Sequence, residues 1–301
     1  MTVCVSAICT WAAATETAAQ QLMIVGCSDR LLTVGDIEFE PFQSKIYYFS
    51  KSVVALVAGD AQAQISICEA TRAHFTPSDA PSVEAVANFY AEEFARYRRT
   101  QAEYVFLQPL GLDQQSFISR QHELTASLAH DLANSLLERR LDVETIISGV
   151  DSTGYHIFTI LDPGIVRCSD AIGFAAIGIG QRHAESTFMF QRYARHWSWP
   201  RALLLTYAAK KRAEVAPGIG ANTDFFWIGV DGYHALHPDI IDEIDAAYSE
   251  LRTKNDAVAE EAGKRVDESL VRILKRNLEA QAKTQGAQAD STKERAAPKA
   301  R

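Results

Sequence analysis

The chain has 301 residues, of which 47% are hydrophobic and 23% charged, and its formal net charge is −8 at pH 7. Such proportions are typical of a globular protein and exclude a collagenous or wholly disordered chain. An acidic chain lacks the basic field that phosphate binding needs, so we expect no nucleic-acid partner. Since no apolar run approaches the roughly 20 residues of a membrane-spanning helix, we expect no membrane partner either.

The first 60 residues predict β-structure. Short runs rich in Val, Ile and Tyr fit strands better than helices. The predicted strands are 2–9, 22–27, 45–49 and 53–57. The Ala-rich, polar segment 11–21 predicts a long connection or a short helix between the first two strands.

Helical patterns follow, and then strands and helices alternate in groups rather than singly. Helices are predicted at 60–74, 83–99, 124–141, 184–196 and 199–214, with a loop or insertion at 102–119. Strands are predicted at 145–149, 155–160, 165–168, 173–177 and 223–230. Grouped strands with hairpin-like turns favour antiparallel sheets over alternating βαβ units. We therefore predict an α+β fold, a four-layer αββα sandwich of two antiparallel sheets flanked by helices.

The composition changes near residue 238. Residues 239–280 are rich in Ala, Glu, Lys and Leu and should be helical, whereas the last 20 residues contain almost no large apolar side chain. A segment that cannot bury apolar surface is expected to be disordered. The predicted organisation is a domain at 1–237, a helical extension at 238–280 and a disordered tail at 281–301.

Cysteine and histidine usage predicts neither a metal site nor a cofactor. The cysteines are odd in number, scattered and without a CxxC pair: Cys4, Cys9, Cys27, Cys68 and Cys168. They are interpreted as small buried hydrophobes in a reducing compartment, which predicts a cytoplasmic location. The eight histidines are scattered as well.

Thr2 is the first residue with a chemical interpretation. Methionine before a small residue is normally trimmed, and trimming would leave the α-amine and the hydroxyl on one threonine. A threonine hydroxyl needs a base within hydrogen-bond reach to act as a nucleophile. The α-amine has an ordinary pKa of about 7.7–8, close to where a general base works best.

Three more residues further along the chain have a possible chemical role. Asp29 closes the second strand in Asp29-Arg30-Leu31-Leu32-Thr33, Lys45 lies sixteen residues further on, and Gly59 lies fourteen residues beyond Lys45. Taken singly, each has a structural interpretation. Asp29 could be a turn residue, Lys45 an edge-strand lysine and Gly59 part of a tight strand-to-helix turn.

Together, these residues resemble the β-type subunits of the proteasome and their bacterial relatives, in the N-terminal nucleophile hydrolase superfamily. In that family a Thr opens the first strand, an Asp ends the second in a D-x-x-x-T pattern, and a Lys and a Gly-containing turn follow at the same two spacings. Residues 147–151 are similar to its A-G-x-D turn and residues 175–180 to its A-x-G-S-G strand end. The resemblance covers residues 2–235.

The chain departs from the family pattern at several points. The stretch between Thr2 and Asp29 is longer than usual, and residues 77–122 form a second insertion. Ile179 stands where the family has a serine. Pro217 stands where the family has another serine, and Glu214 is the nearest match to its supporting aspartate.

The resemblance implies a threonine-type peptidase that acts on polypeptides or peptides without a cofactor. Thr2 would be the nucleophile and Lys45, paired with Asp29, would lower the pKa of the amine and stabilise the alkoxide. The Gly59 amide would receive the oxyanion. The residues implied to line the substrate pocket are Leu32, Thr33, Tyr47, Val57 and Ala61, which predicts cleavage after apolar residues.

The resemblance also implies a homo-oligomeric ring, with an ATPase or another regulator as a partner. Two other functions remain open on the same fold. One is a hydrolase acting on small amides. The other is a non-catalytic, proteasome-like scaffold subunit, which the residues Ile179 and Pro217 favour.

Overall fold

A computed structural model describes residues 2–11, 21–34, 37–41, 44–75 and 80–296, and within the C-terminal helix it describes side chains as far as Glu279. The chain divides into two units, Met1–Asp245 and Ala246–Arg301. The first unit holds the sheets, and the described part of the second is helical. Among the described residues, no helix combines the length and apolar composition that crossing a bilayer requires.

The described residues form twelve strands. In chain order these are β1 (Cys4–Trp11), β2 (Gln21–Asp29), β3 (Leu32–Val34), β4 (Ile37–Phe39), β5 (Ile46–Ser50), β6 (Val53–Gly59), β7 (Val143–Asp151), β8 (Gly154–Leu161), β9 (Ile165–Cys168), β10 (Phe174–Ile177), β11 (Thr223–Gly229) and β12 (Gly232–Ala235). One five-stranded sheet has the order β10-β1-β2-β11-β12 and the other β5-β6-β7-β8-β9. Every neighbouring pair in both sheets is antiparallel.

Seven α-helices are described. They are α1 (Ala61–His74), α2 (Val83–Ala102), α3 (Gln114–Arg120), α4 (Ala126–Glu138), α5 (Gln181–Phe190), α6 (Trp199–Ala213) and α7 (Pro238–Ala296). Helices α5 and α6 pack on the sheet that contains β1, and α1 and α2 pack on the sheet that contains β6. The prediction of a four-layer αββα sandwich is therefore confirmed.

Strand β6 shows how the sequence packs a sheet against the helices, and a contact between β1 and β7 shows how the two sheets meet. Successive side chains of a strand point to opposite faces of the sheet. Val53, Ala55 and Val57 face the helical side and join the core with α1 and α2. Between the sheets, the hydroxyl groups of Ser6 and Ser148 lie 2.7 Å apart in a hydrogen bond, which satisfies two buried polar groups.

Side-chain caps place the helices that follow β6. The Asp60 carboxylate accepts a hydrogen bond of 2.9 Å from the Ala63 amide, and the Ser82 hydroxyl accepts one of 3.1 Å from the Ala85 amide. Such caps satisfy amides that have no partner inside the helix. Helix α1 therefore begins directly after the Gly59 turn.

The structure differs from the sequence prediction in three places. Strands β3, β4 and β12 were not predicted, and residues 102–119, expected as a loop or insertion, are mostly helical turns together with α3. Helix α7 is described from Pro238 to Ala296, so it extends past residue 280, and the disorder expected for 281–301 stays a prediction. Ala, Gln, Glu and Lys favour helix even where no apolar side chain anchors it. Residues 12–20 and 297–301 lie outside the described residues.

Candidate active site

Four of the predicted site residues lie at the ends of strands. Thr2 lies two residues before β1, Asp29 is the last residue of β2, Lys45 directly precedes β5, and Gly59 is the last residue of β6. The pairing of β1 with β2, with Cys4 opposite Ser28, brings the start of the chain beside Asp29. The Val3 amide donates to Asp29 Oδ1 at 2.9 Å, and the Asp29 amide donates to the Val3 carbonyl at 3.2 Å.

The Lys45 ammonium connects Thr2 with Asp29. Its Nζ donates to Thr2 Oγ1, and it lies 3.2 Å from Asp29 Oδ1 and 3.1 Å from Asp29 Oδ2. A further hydrogen bond of 2.6 Å reaches the carbonyl oxygen of Leu31. An ammonium has three donors and no acceptor, so these contacts use all of its hydrogen-bonding capacity. The structure thus brings Thr2, Asp29 and Lys45 together.

Burial makes this arrangement electrostatically strong. Thr2 is 2% exposed, Asp29 0% and Lys45 7%. Two charges removed from water are tolerated only where good geometry and additional hydrogen bonds replace their hydration. Those bonds are present, since the Leu31 amide at 3.1 Å and the Gly220 amide at 3.2 Å both donate to Asp29 Oδ2. Asp29 is therefore a fixed anchor for the Lys45 ammonium.

Gly59 occupies a position that requires glycine. Its φ is +105°, a conformation that side-chain-bearing residues rarely adopt, and a Cβ atom there would overlap the carbonyl oxygen of Asp142. The next amide, that of Asp60, donates to the same Asp142 carbonyl at 3.2 Å. The Gly59 backbone is thereby held at the edge of the cleft that Thr2 also lines.

That cleft has a volume of about 450 Å³. It is lined by Thr2, Ala58, Gly59, Arg140, Asp142, Val143, Glu144, Leu161, Asp162, Gly178 and Ile179. Four of these side chains are charged in their ordinary states, three of them carboxylates. Ile179, at the position where the family resemblance implies a serine, is 49% exposed. The cleft that Thr2 lines is therefore largely charged and is apolar at Ile179.

Gly178, Gly180 and Glu144 support the backbone around Thr2. Gly178 has a φ of +86°, and a Cβ atom there would overlap the Thr2 carbonyl oxygen. The Gly178 amide donates to Glu144 Oε2 at 2.6 Å, and the Gly180 amide donates to the Thr2 carbonyl at 3.3 Å. Gly178 belongs to the 175–180 segment that resembles the family pattern, whereas nothing in the sequence marked Glu144.

The predicted substrate-pocket residues lie elsewhere. Val57 is 1% exposed and packs in the core with α1 and α2, and Tyr47 packs against that core. Leu32 is half-buried in β3, Ala61 is exposed at the start of α1, and the side chain of Thr33 lies outside the described part of the chain. None of the described side chains among these five lines the cleft. For Val57 the reason is that β6 directs its side chain toward the helices.

A cysteine beside the site is not a competing nucleophile. Cys4 is fully buried, and its thiol donates to the Val57 carbonyl at a sulfur–oxygen distance of 3.6 Å. Burial raises the pKa of the Cys4 thiol well above its usual value, although the nearby Lys45 acts in the opposite direction. Since the thiolate is the reactive form of cysteine, burial and the raised pKa both disfavour Cys4 as a nucleophile.

The described residues contain no group of three or more His, Cys, Asp or Glu side chains arranged to hold a metal ion. No protein-family model matches the sequence, and a search of curated proteins gives no match. Support for a function therefore comes from the geometry of the site itself.

Proposed function

We propose that this chain is an N-terminal nucleophile hydrolase of the proteasome β-subunit type, which cleaves amide bonds in polypeptides or peptides. The observation that carries the proposal is the buried Lys45 ammonium, which donates to the Thr2 hydroxyl and is held by Asp29. A cation at this position stabilises negative charge that develops on the Thr2 oxygen. Neither an edge-strand lysine nor a turn aspartate would need such a buried arrangement.

The proposed reaction begins once removal of Met1 exposes the Thr2 amine. Thr2 Oγ attacks the amide carbonyl carbon, and the Thr2 amine accepts the hydroxyl proton, directly or through a water molecule. Collapse of the tetrahedral intermediate breaks the C–N bond, and the proton passes to the leaving amine. Water then hydrolyses the resulting ester and restores Thr2, while the Gly59 backbone serves as the oxyanion donor in both steps.

Two observations favour the alternative functions. The cleft carries Arg140, Asp142, Glu144 and Asp162 instead of the predicted apolar residues, which suits a hydrolase of small polar amides. Ile179 lies exposed in the cleft where the family resemblance implies a serine, which suits a non-catalytic scaffold subunit. The intact Thr2, Asp29 and Lys45 contacts favour a hydrolase over a scaffold.

We also propose that copies of this chain assemble into a homo-oligomeric ring in the cytoplasm. An ATPase or another regulator would be a partner of this ring. Support comes from exposed apolar side chains on two helices: Ile65 of α1 is 48% exposed, and Leu128 and Leu137 of α4 are 40% and 76% exposed. Contact with a neighbouring subunit would remove these side chains from water. The described cysteines are all free thiols, as in a reducing compartment.

We expect light scattering at micromolar concentration to give a mass several times that of one chain. A monomeric mass would contradict the ring.

The decisive experiment is an intact-mass measurement followed by a substrate panel. We expect the purified protein to lack Met1 and to release the fluorophore from some members of a peptide-amide panel. Turnover of small amides alone would support the small-amide function instead. If all of the protein retained Met1, the Thr2 nitrogen would be part of a peptide bond and could not act as a base. That result would contradict the N-terminal nucleophile mechanism.

A further inference from the structure

Lys210 is a fully buried lysine outside the set of residues described above. It lies in α6 and is 0% exposed. Its Nζ donates to Glu214 Oε1 at 2.6 Å and to the carbonyl oxygen of Ala221 at 2.6 Å. Burial lowers the pKa of Lys210, and the neighbouring Glu214 opposes that effect. Burial of an ammonium costs desolvation free energy, which its hydrogen bonds must offset. The contact with the loop at Ala221 is one of these bonds.

The loop that Lys210 holds also contacts the proposed active site. Gly220, one residue before Ala221, donates its amide hydrogen to Asp29 Oδ2 at 3.2 Å. A Cβ atom on Gly220 would overlap the Glu40 carboxylate and lie 2.8 Å from Leu31 Cβ, so the backbone approaches its neighbours closely. On the other side of Ala221, the Asn222 amide donates to Glu40 Oε1 at 3.3 Å. The loop is therefore held from α6 and from Glu40.

We propose that Lys210 is a positioning residue for the Thr2 site, an inference that rests on the proposed function. Lys210 fixes the Ala221 carbonyl, which holds the Gly220 amide against the Asp29 carboxylate. Asp29 in turn orients the Lys45 ammonium that donates to Thr2. Lys210 thus acts through the loop without contact to the reacting atoms.

The neighbouring Lys211 provides a matched control. Its Nζ lies 2.9 Å from Glu214 Oε2, so it pairs with the same carboxylate from the same helix. Its side chain is 25% exposed, and its ion pair and its position over the Tyr207 ring do not involve the loop. Loss of charge near Glu214 is therefore common to Lys210→Met and Lys211→Met, whereas loss of the loop contact is specific to Lys210→Met.

The test compares these two variants in the full chain by steady-state kinetics on a peptide-amide substrate. We expect Lys210→Met to lower kcat about tenfold or more with KM changed less than twofold, because the loop orients the nucleophile and not the substrate. We expect Lys211→Met to retain wild-type kcat and KM. Equal kinetics of the two variants, with an active wild type, would overturn the role of Lys210 and leave the proposed function intact.

Amide hydrogen exchange provides a measurement that does not depend on activity. In the wild type, the Gly220 amide should exchange slowly, and its exchange should accelerate at least tenfold in Lys210→Met and stay unchanged in Lys211→Met. An inactive wild type would contradict the proposed function, and exchange alone would then decide whether Lys210 holds the loop. If Lys210→Met fails to fold, fast exchange of Gly220 in the wild type still overturns the inference.

Discussion

Replacement of Thr2 by alanine should reduce hydrolysis by about 10³-fold or more. The change removes the proposed nucleophile, and loss of the nucleophile from a catalytic unit generally has an effect of this size. The Thr2→Ser variant, which keeps a hydroxyl beside an α-amine, should retain measurable turnover. The measurement is the initial rate on the best substrate of the peptide panel, with removal of Met1 verified for each variant.

The fold should survive the Thr2→Ala substitution. In the wild type the Thr2 hydroxyl accepts a hydrogen bond from Lys45, and without it Lys45 still donates to Asp29 and to the Leu31 carbonyl. The thermal midpoint should therefore stay close to that of the wild type. If Thr2→Ala and wild type cleave at the same rate, Thr2 is not the nucleophile.

The fold could be predicted because its signals are local. Strands such as β2 and β6 are short runs of β-branched and apolar residues, and helices such as α1 begin at a capping residue directly after a turn. The grouping of strands and helices along the chain then favoured two antiparallel sheets over a parallel one. The short strands β3, β4 and β12 carry too few residues to produce such a pattern.

The centre of the candidate site could be predicted for a different reason. Thr2, Asp29 and Lys45 all lie at or next to strand ends, so their spacing along the sequence reflects the lengths of the strands and turns between them. Antiparallel pairing of β1 with β2 brings Thr2 and Asp29 together, and Lys45 reaches them from the end of β5 in the other sheet. A spacing that matches a known family therefore carries information about three-dimensional proximity.

The lining of the cleft could not be predicted in the same way. It depends on Glu144 of β7, which comes close to Thr2 only through the packing of the two sheets against each other. It also depends on Gly178, which follows β10, a strand that is distant in sequence from β1 but pairs with it. The side on which Val57 lies depends on the strand register, since a shift by one residue moves a side chain to the opposite face. The contact of Lys210 with Ala221 likewise joins a helix to a loop with no signature in the sequence.

These differences bear on substrate preference. The sequence predicted cleavage after apolar residues from side chains that the structure places outside the cleft, in the core for Val57 and on α1 for Ala61. The cleft that Thr2 and Gly59 share is bordered instead by charged side chains on β7 and the loops before β7 and after β8. A panel with both apolar and polar residues on each side of the scissile bond is therefore needed to identify the substrate.

Replacement of Lys45 by methionine should be nearly as severe as loss of Thr2, with a rate reduced by about 10³-fold. Methionine fills a similar volume, but it provides no charge next to the Thr2 oxygen and no donor to the Leu31 carbonyl. The double variant Thr2→Ala, Lys45→Met should be no slower than Thr2→Ala, because groups that act as one unit are not additive. A double variant slower than the wild type by the product of the two single effects would show that Lys45 acts independently of Thr2.

Stability separates this catalytic effect from a structural one. Removal of one partner of a buried ion pair commonly costs about 3–5 kcal/mol, because the other charge is left without compensation. In Lys45→Met the Asp29 carboxylate keeps its three backbone donors from Val3, Leu31 and Gly220, so we expect a loss at the lower end of that range. Lys45→Arg keeps the positive charge and tests whether charge alone suffices. If Lys45→Met is folded by circular dichroism yet hydrolyses peptides at the wild-type rate, the Lys45 ammonium has no role in activating Thr2.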